Sequence, residues 1–406
     1  MATLEDTVKT VVLMRARPSQ ADGYRLINAE GESVGEPQPA LFVQVRDIRS
    51  HKDLSDLQRD PDVEAAAPSM PIRLIGMGTL SKPVPIGTRE AVAWGVKAVG
   101  AVDSRRTGSG VKVAVLDSGL NMEHPAFKNQ GIKFTPRNFL DGDPEDVTDN
   151  DGHGTHCAAT IFGRDVDKMR IGVAKGVTEV LIGKVVDREG STLDGIAKAI
   201  TWAHLEGAHV LSMSLGIDFE AHLKTFTDKK IPGPQATSMA LADYAACVRL
   251  FDRLAEHVGD RNHTHRGMLI VAAAGNESNR PLYRVRVAPP AGASGVLSVG
   301  AVRMSERGLL EVASFSNNGP LVCAPGERIV SACKDGVGLE ARDGTSMAVP
   351  HAAGVAALWA QTRVVPARPE VFEADRVLRD IEDHLLHIDG SDPDDVGGGL
   401  VQAPTT

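Results

Sequence analysis

Aromatic side chains are scarce in this chain: three tryptophans, three tyrosines and ten phenylalanines in 406 residues. The core must therefore be built from Ala, Val, Ile and Leu, and a hydrophobic content of 42% is enough to build one. Cysteine is scarce too. Cys157, Cys247, Cys323 and Cys333 stand far apart with no Cys-x-x-Cys pair. That pattern argues against a disulfide framework and a structural zinc site, and for thiols in a reducing compartment. No apolar run approaches the ~18 residues of a membrane-spanning helix, so no membrane partner is expected. The opening Met1-Ala2-Thr3-Leu4-Glu5-Asp6 has neither the basic nor the apolar region of a secretory leader. The expected location is the cytoplasm. Lys and Arg (44) are outnumbered by Asp and Glu (53), a formal charge of −9, which argues against a nucleic-acid partner.

At roughly 150 residues per domain, the length suits two or three domains, or one large domain with an appendage. Residues 1–76 stand apart from the rest. Strands are expected at 10–14, 24–27 and 41–45, with 18–40 reading as a hairpin. A helix is expected over 50–59, from Leu54 and Leu57 at i, i+3 spacing and Ser50 as its cap. Residues 77–90 hold Gly78, Pro83, Pro85 and Gly87, the composition of a linker. From 91 to 406 apolar runs of strand length alternate with helical patterns. The runs at 111–117, 179–186, 209–215 and 268–274 are apolar on both faces, as in the interior of a parallel sheet. Leu193, Ile196, Ile200 and Ala203 mark a helix behind Ser191 and Thr192, and Leu241, Tyr244, Val248, Phe251, Leu254 and Val258 mark another. A third, over 345–362, is apolar all round and so belongs at the centre. The expected fold is α/β: a doubly wound, mostly parallel sheet flanked by helices, preceded by a small α+β module. Ligands in such sheets bind beyond the carboxyl ends of the strands.

Three segments bring chemistry to such strand and helix ends. Asp117 closes the apolar run Val113-Ala114-Val115-Leu116, His153 lies in Asp151-Gly152-His153-Gly154-Thr155-His156-Cys157, and Ser346 lies in Gly344-Thr345-Ser346-Met347-Ala348. A serine hydroxyl needs a base to act as a nucleophile at neutral pH, and that base needs an orienting carboxylate. Singly, each residue is more commonly a cap or a structural group, and spacing alone leaves His153 and His156 equivalent.

Taken together and in order, the strings VAVLDSG, DGHGTHCAAT and GTSMAVPHAAG resemble the signatures of the subtilisin-like serine peptidases. The order Asp, His, Ser is that of subtilisin itself. A fourth string, Val271-Ala272-Ala273-Ala274-Gly275-Asn276-Glu277, resembles the family's oxyanion segment, and the likeness extends over about 90–404. It implies Ser346 as nucleophile, His153 as base, Asp117 as its orienting partner and Asn276 as oxyanion donor. His156 and His351 match structural positions. The likeness also implies an S1 cleft walled by Ser214, Leu215 and Gly216 on one side and Ala273, Ala274 and Gly275 on the other. Gly190 and Ser191 would form an edge that pairs with extended substrate. Ala288, before Pro289-Pro290, would lie at the pocket floor and leave room for a large apolar P1 side chain.

Some features depart from the family. Residues 164–170 stand where secreted relatives carry a calcium loop, but Lys168 and Arg170 oppose a hard cation. No cofactor is required on this reading. Calcium is not carried over to that loop, and the acidic stretch Asp141, Asp143, Glu145, Asp146, Asp149 and Asp151 is the alternative place for it. Residues 217–234 read as a charged insertion just after one S1 wall. Cys157 falls one helical turn behind His153, as a small buried group. More loosely, the first module resembles the family's inhibitory propeptide, which implies self-cleavage near 74–77. The implied partners are that propeptide and a peptide or protein substrate. Two further readings are a dedicated intracellular maturation protease or transpeptidase, and a peptide-binding pseudoenzyme.

Overall fold

The computed structural model describes residues 8–15, 41–49, 51–75, 82–83, 91–187, 190–259, 267–364 and 372–405. The strand expected at 24–27, the hairpin over 18–40 and the cap expected at Ser50 lie outside them.

The N-terminal module begins with β1 (Val8–Arg15), β2 (Leu41–Ile48), α1 (His51–Leu57) and β3 (Val63–Pro68), forming an antiparallel sheet in the order β2-β1-β3. Period-2 patterning sends alternate residues of β1 to opposite faces. Val12 and Met14 pack with Leu54 of α1, while Val11 and Leu13 join the core of the larger domain. The chain continues into β4 (Pro71–Leu74) and, further on, β5 (Lys82–Pro83).

The larger domain opens with α2 (Trp94–Ala98), β6 (Lys112–Asp117), β7 (Lys133–Asn138), α3 (His153–Phe162) and β8 (Glu179–Lys184). Then come β9 (Ser191–Thr192), α4 (Leu193–Leu205), β10 (Val210–Met213) and β11 (Leu215–Ile217), followed by α5 (Phe219–Asp228) and α6 (Gly233–Gly259). The remainder is β12 (Leu269–Ala273), β13 (Val296–Met304), β14 (Leu310–Val312), β15 (Val322–Pro325), β16 (Ile329–Ala332), β17 (Leu339–Arg342), α7 (Thr345–Ala360), α8 (Ala374–Glu382) and α9 (Pro393–Val396). The main sheet runs β14-β13-β12-β10-β6-β8-β7, with β15 also on β13, and all its pairings are parallel except β13 with β14. Val113, Ala114, Val115 and Leu116 are buried on both faces, the price of a sheet covered by helices on each side. Pro136 is tolerated because β7 is an edge strand.

Every residue of α7 is buried. Its composition explains how a helix passes through the centre with few aromatics: Gly354 lies so close to Val173 that an added Cβ would approach its Cβ to 2.6 Å. Thr192 occupies the cap position of α4, but its hydroxyl binds the carboxylate of Asp194 at 2.6 Å and caps no backbone N–H. The insertion at 217–234 is ordered as a helix, because Asp218 caps α5 by accepting from Ala221 N at 2.9 Å. Among the described residues no helix is long and apolar enough to cross a membrane.

Candidate active site

Asp117 is the last residue of β6, which brings its carboxylate to the carboxyl edge of the sheet. His153 opens α3 behind Gly152, whose φ of 99° lies in the left-handed region that favours glycine. Nδ1 of His153 lies 2.7 Å from Asp117 Oδ1, and both side chains are buried. Burial of the ring opposes its protonation, but the Asp117 carboxylate outweighs this and holds the imidazole well above its ordinary pKa. Nε2 of His153 is buried and has no hydrogen-bond partner among the described residues.

The two other histidines near these strings have different surroundings. Nε2 of His156 bonds Ile329 O at 3.0 Å; burial, with the Arg342 charge nearby, pushes its pKa well below the ordinary value. Nδ1 of His351 bonds Met347 O at 2.8 Å, and burial lowers its pKa to about 4. Geometry thus separates His153 from His156, which spacing could not, and gives His351 a third setting.

Ser346 lies in the first turn of α7. Its hydroxyl donates a short hydrogen bond to Ile75 O, with Ser214 O at 3.3 Å. Asn276 Nδ2 donates to the same Ile75 carbonyl at 3.0 Å. The Asn276 amide is aimed by Thr345, whose N–H and hydroxyl both donate to Asn276 Oδ1, at 2.8 and 2.9 Å. Thr345 was not singled out from the sequence, although it adjoins Ser346.

The segment ending at Ile75 runs through the cleft as a strand. β4 pairs antiparallel with β11 on one side (Leu74 with Leu215, Arg73 with Gly216) and with β9 on the other (Ile72 with Ser191). Ile75 N donates to Ser214 O at 3.2 Å, and the Ile75 side chain fills the space that a Cβ on Gly216 would enter. Gly190, with φ of 99°, places its missing Cβ 3.4 Å from Ile72 O. Opposite, Ala273 ends β12, Ala274 follows it, and Gly275 at φ 114° has no room for a side chain beside Asn317 and Glu277. Ala288 is half-buried and precedes the cis Pro289–Pro290 bond, and Pro289 O accepts from Ile217 N at 3.1 Å. Ser214, Leu215 and Gly216 on one side and Gly190 and Ser191 on the other thus lie along one extended segment.

Asp149, one of the acids expected as an alternative calcium site, is buried and braces the turn that carries the histidine. Asp149 Oδ1 accepts from Ser118 Oγ and Gly152 N at 2.9 and 2.7 Å, and Oδ2 accepts from Thr155 N and Oγ1 at 2.8 and 2.7 Å. Burial opposes its ionisation, yet these bonds prevail and hold its carboxyl below the ordinary range. Asp143 and Asp146 likewise accept N–H groups of their own turns, from Glu145 and Thr148. In the 164–170 loop, Arg170 donates to the carbonyls of Ala101, Gly172 and Val173 at 3.0, 3.2 and 3.0 Å. A guanidinium supplies the positive charge there.

Cys157 Sγ lies 3.7 Å from His153 Nδ1 and 3.4 Å from Ser346 O, and burial raises its pKa. With Asp117 and His153 it forms a trio whose ligand atoms lie within 4.8 Å of one another. A thiol and an imidazole do not suit calcium, which takes oxygen ligands, and Nδ1 is already held by Asp117.

Comparison with known proteins agrees with this geometry. Residues 108–374 match the subtilase family, described as peptidase S8. The chain is 30% identical over 358 residues to a thermostable alkaline protease of Halalkalibacterium halodurans, covering 87% of this chain and 80% of that protein. It is 34% identical over 265 residues to an intracellular serine protease of Paenibacillus polymyxa (64% and 70% covered) and 33% over 278 residues to subtilisin Savinase of Lederbergia lenta (67% and 85%). The chain belongs to the subtilase family and is a serine-type peptidase.

Proposed function

We propose that this peptidase is an endopeptidase made as a zymogen, which cuts its own chain after Ile75. In this reading Ser346 Oγ attacks the Ile75 carbonyl carbon while His153 Nε2 takes the hydroxyl proton. Asp117 holds the imidazole in the required tautomer and stabilises its charged form. Asn276 Nδ2 and the backbone N–H of Ser346 take the oxyanion. The Ile75–Gly76 C–N bond breaks, His153 gives its proton to the leaving amine, and water then releases the acyl group from Ser346. The same cycle would cut other peptides or proteins that pair with β9 and β11 and place an apolar residue against Gly216.

One observation carries the reading: Ile75 O is bonded by both Asn276 and Ser346 while Ile75 N is bonded to Ser214 O. The N-terminal module supports it by seating β1, β3 and β4 residues in one core with α4 and α6. In the same proposal the protein acts in the cytoplasm, supported by four free cysteines and by the likeness to the Paenibacillus polymyxa enzyme. It requires no calcium at 164–170, because Arg170 already serves the carbonyls gathered there.

Freshly purified wild-type chain should shorten from 43.0 kDa and yield a fragment whose first residue is Gly76, while Ser346→Ala stays full length. Mass spectrometry and N-terminal sequencing read both. Maturation of Ser346→Ala at the wild-type rate would refute the proposal.

A further inference from the structure

The strand in the cleft presents a basic residue, and the cleft answers it with two carboxylates. Arg73 is two residues before Ile75, so its side chain leaves the same face of the strand. Arg73 Nη2 lies 2.7 Å from Glu277 Oε1, and Arg73 Nε lies 3.8 Å from Asp218 Oδ2. These acids come from separate places: Glu277 follows Asn276 past the end of β12, and Asp218 caps α5 at the start of the insertion.

Each carboxylate is anchored through its other oxygen. Glu277 Oε2 accepts from Asn317 Nδ2 at 2.7 Å, and Asn317 Oδ1 in turn accepts from Glu277 N and Ser278 N at 3.1 and 3.0 Å. Asp218 Oδ1 is engaged by Ala221 N as the helix cap. One oxygen of each acid is thus fixed to the scaffold and the other faces the strand. A clamp already held in place loses little side-chain freedom when it binds, which is where flexible surface ion pairs forfeit most of their gain.

We propose that Glu277 and Asp218 form an S3 subsite that selects substrates with a basic residue, arginine above lysine, third from the cut on its N-terminal side. This rests on the proposed cleavage after Ile75, because it treats β4 as occupying the register of a substrate. The planar guanidinium reaches both acids at once, whereas an ammonium is a single point of charge. The pairs are partly exposed, with Arg73, Glu277 and Asp218 side chains at 44%, 34% and 23%. The selectivity is therefore moderate and weakened by salt.

The test uses the processed enzyme and peptides Ile-Xaa-Leu-Ile followed by a constant leaving segment, with Xaa as Arg, Lys, Ala or Glu. In low salt kcat/KM should fall in that order, with Arg above Ala by about 3- to 20-fold and Arg above Glu by more. The Arg-to-Glu ratio should shrink in 0.5 M NaCl. Glu277→Gln keeps an oxygen for Asn317, and Asp218→Asn keeps a helix cap. Each should lower the ratio, and Glu277→Lys should reverse it. Thermal midpoints of the variants would report on their folding. Cleavage indifferent to Xaa, or a ratio unmoved by either neutral substitution, overturns the subsite alone. Failure of active-site-titrated enzyme to cut any of the peptides overturns the peptidase reading and the subsite with it.

Discussion

Two buried histidine–aspartate pairs among the described residues differ in what surrounds them. In the cleft, His153 uses Nδ1 for Asp117 at 2.7 Å, leaving Nε2 without a partner among the described residues. In the insertion, His222 on α5 uses Nε2 for Asp243 on α6 at 2.9 Å and stands edge-on to Phe226 with ring centroids 5.1 Å apart. Its near neighbours are those of a helix joint. Buried acid–imidazole geometry therefore makes no base by itself; what matters is which ring nitrogen is left over and what it faces. The second pair bolts together the hairpin that begins at Asp218, so its role is to hold a surface near the cleft.

The largest break in this comparison is removal of each imidazole. His153→Ala should lower kcat by about 10⁶-fold, a scale taken from subtilisin itself. His222→Ala should retain activity on peptides with alanine at the third position within a few-fold. It should cost about 3 kcal/mol of stability, because Asp243 is left buried and unpaired. Steady-state kinetics and thermal denaturation separate the two, and equal catalytic losses would erase the distinction.

A smaller effect is expected at Asn276, which serves the same Ile75 carbonyl as Ser346. Asn276→Ala should cost about 10²- to 10³-fold in kcat, again subtilisin's own figure, with KM little changed, because the donor matters most once charge develops on the oxygen. Loss confined to KM would mean that Asn276 only binds the ground state.

The smallest effect is in pH dependence. Because Asp117 raises the His153 pKa, the base is neutral only at higher pH. The first-order rate of self-cleavage should rise along a limb with an apparent pKa above 6.5. The stabilising charge pair follows the opposite course. A folded-state pKa above the unfolded value adds stability that is full below about 6.5 and is lost as pH rises through the raised value. Denaturation of Ser346→Ala across that window should show the decline. Asp117→Asn should lower the rate and move the limb to lower pH, since the Asp117 charge no longer offsets burial. A limb unmoved by Asp117→Asn would assign it to another group.

Much of this was legible in the sequence for local reasons. Buried parallel strands need unbroken apolar runs, so β6, β8, β10 and β12 could be read directly. A central helix must be apolar on every face, which marked α7. The chemistry-bearing strings were readable because their glycines and small residues serve contacts within a few positions. Thr345, Asn317 and Glu277 were not assigned roles, and Asp149 was read only as a candidate calcium ligand, since each acts through partners brought together by folding: Asn276 and Thr345 are 69 residues apart, and Asn317 and Glu277 are 40. The insertion read as charge alone because His222 and Asp243 are 21 residues apart, on two helices whose packing no local pattern encodes.

By itself, then, the sequence determined the α/β class, the order of its elements and the aspartate, histidine and serine that resemble a family's catalytic set. Periodicity and local motifs depend on neighbours along the chain, and neighbours along the chain are what a sequence records. Only the tertiary structure decided which histidine lies against Asp117, that the Ile75 carbonyl is seated on Ser346, and that Arg73 lies between Glu277 and Asp218. Those choices are set by distances between segments tens to hundreds of residues apart, which come into being only when the sheet closes and the first module packs against α4 and α6.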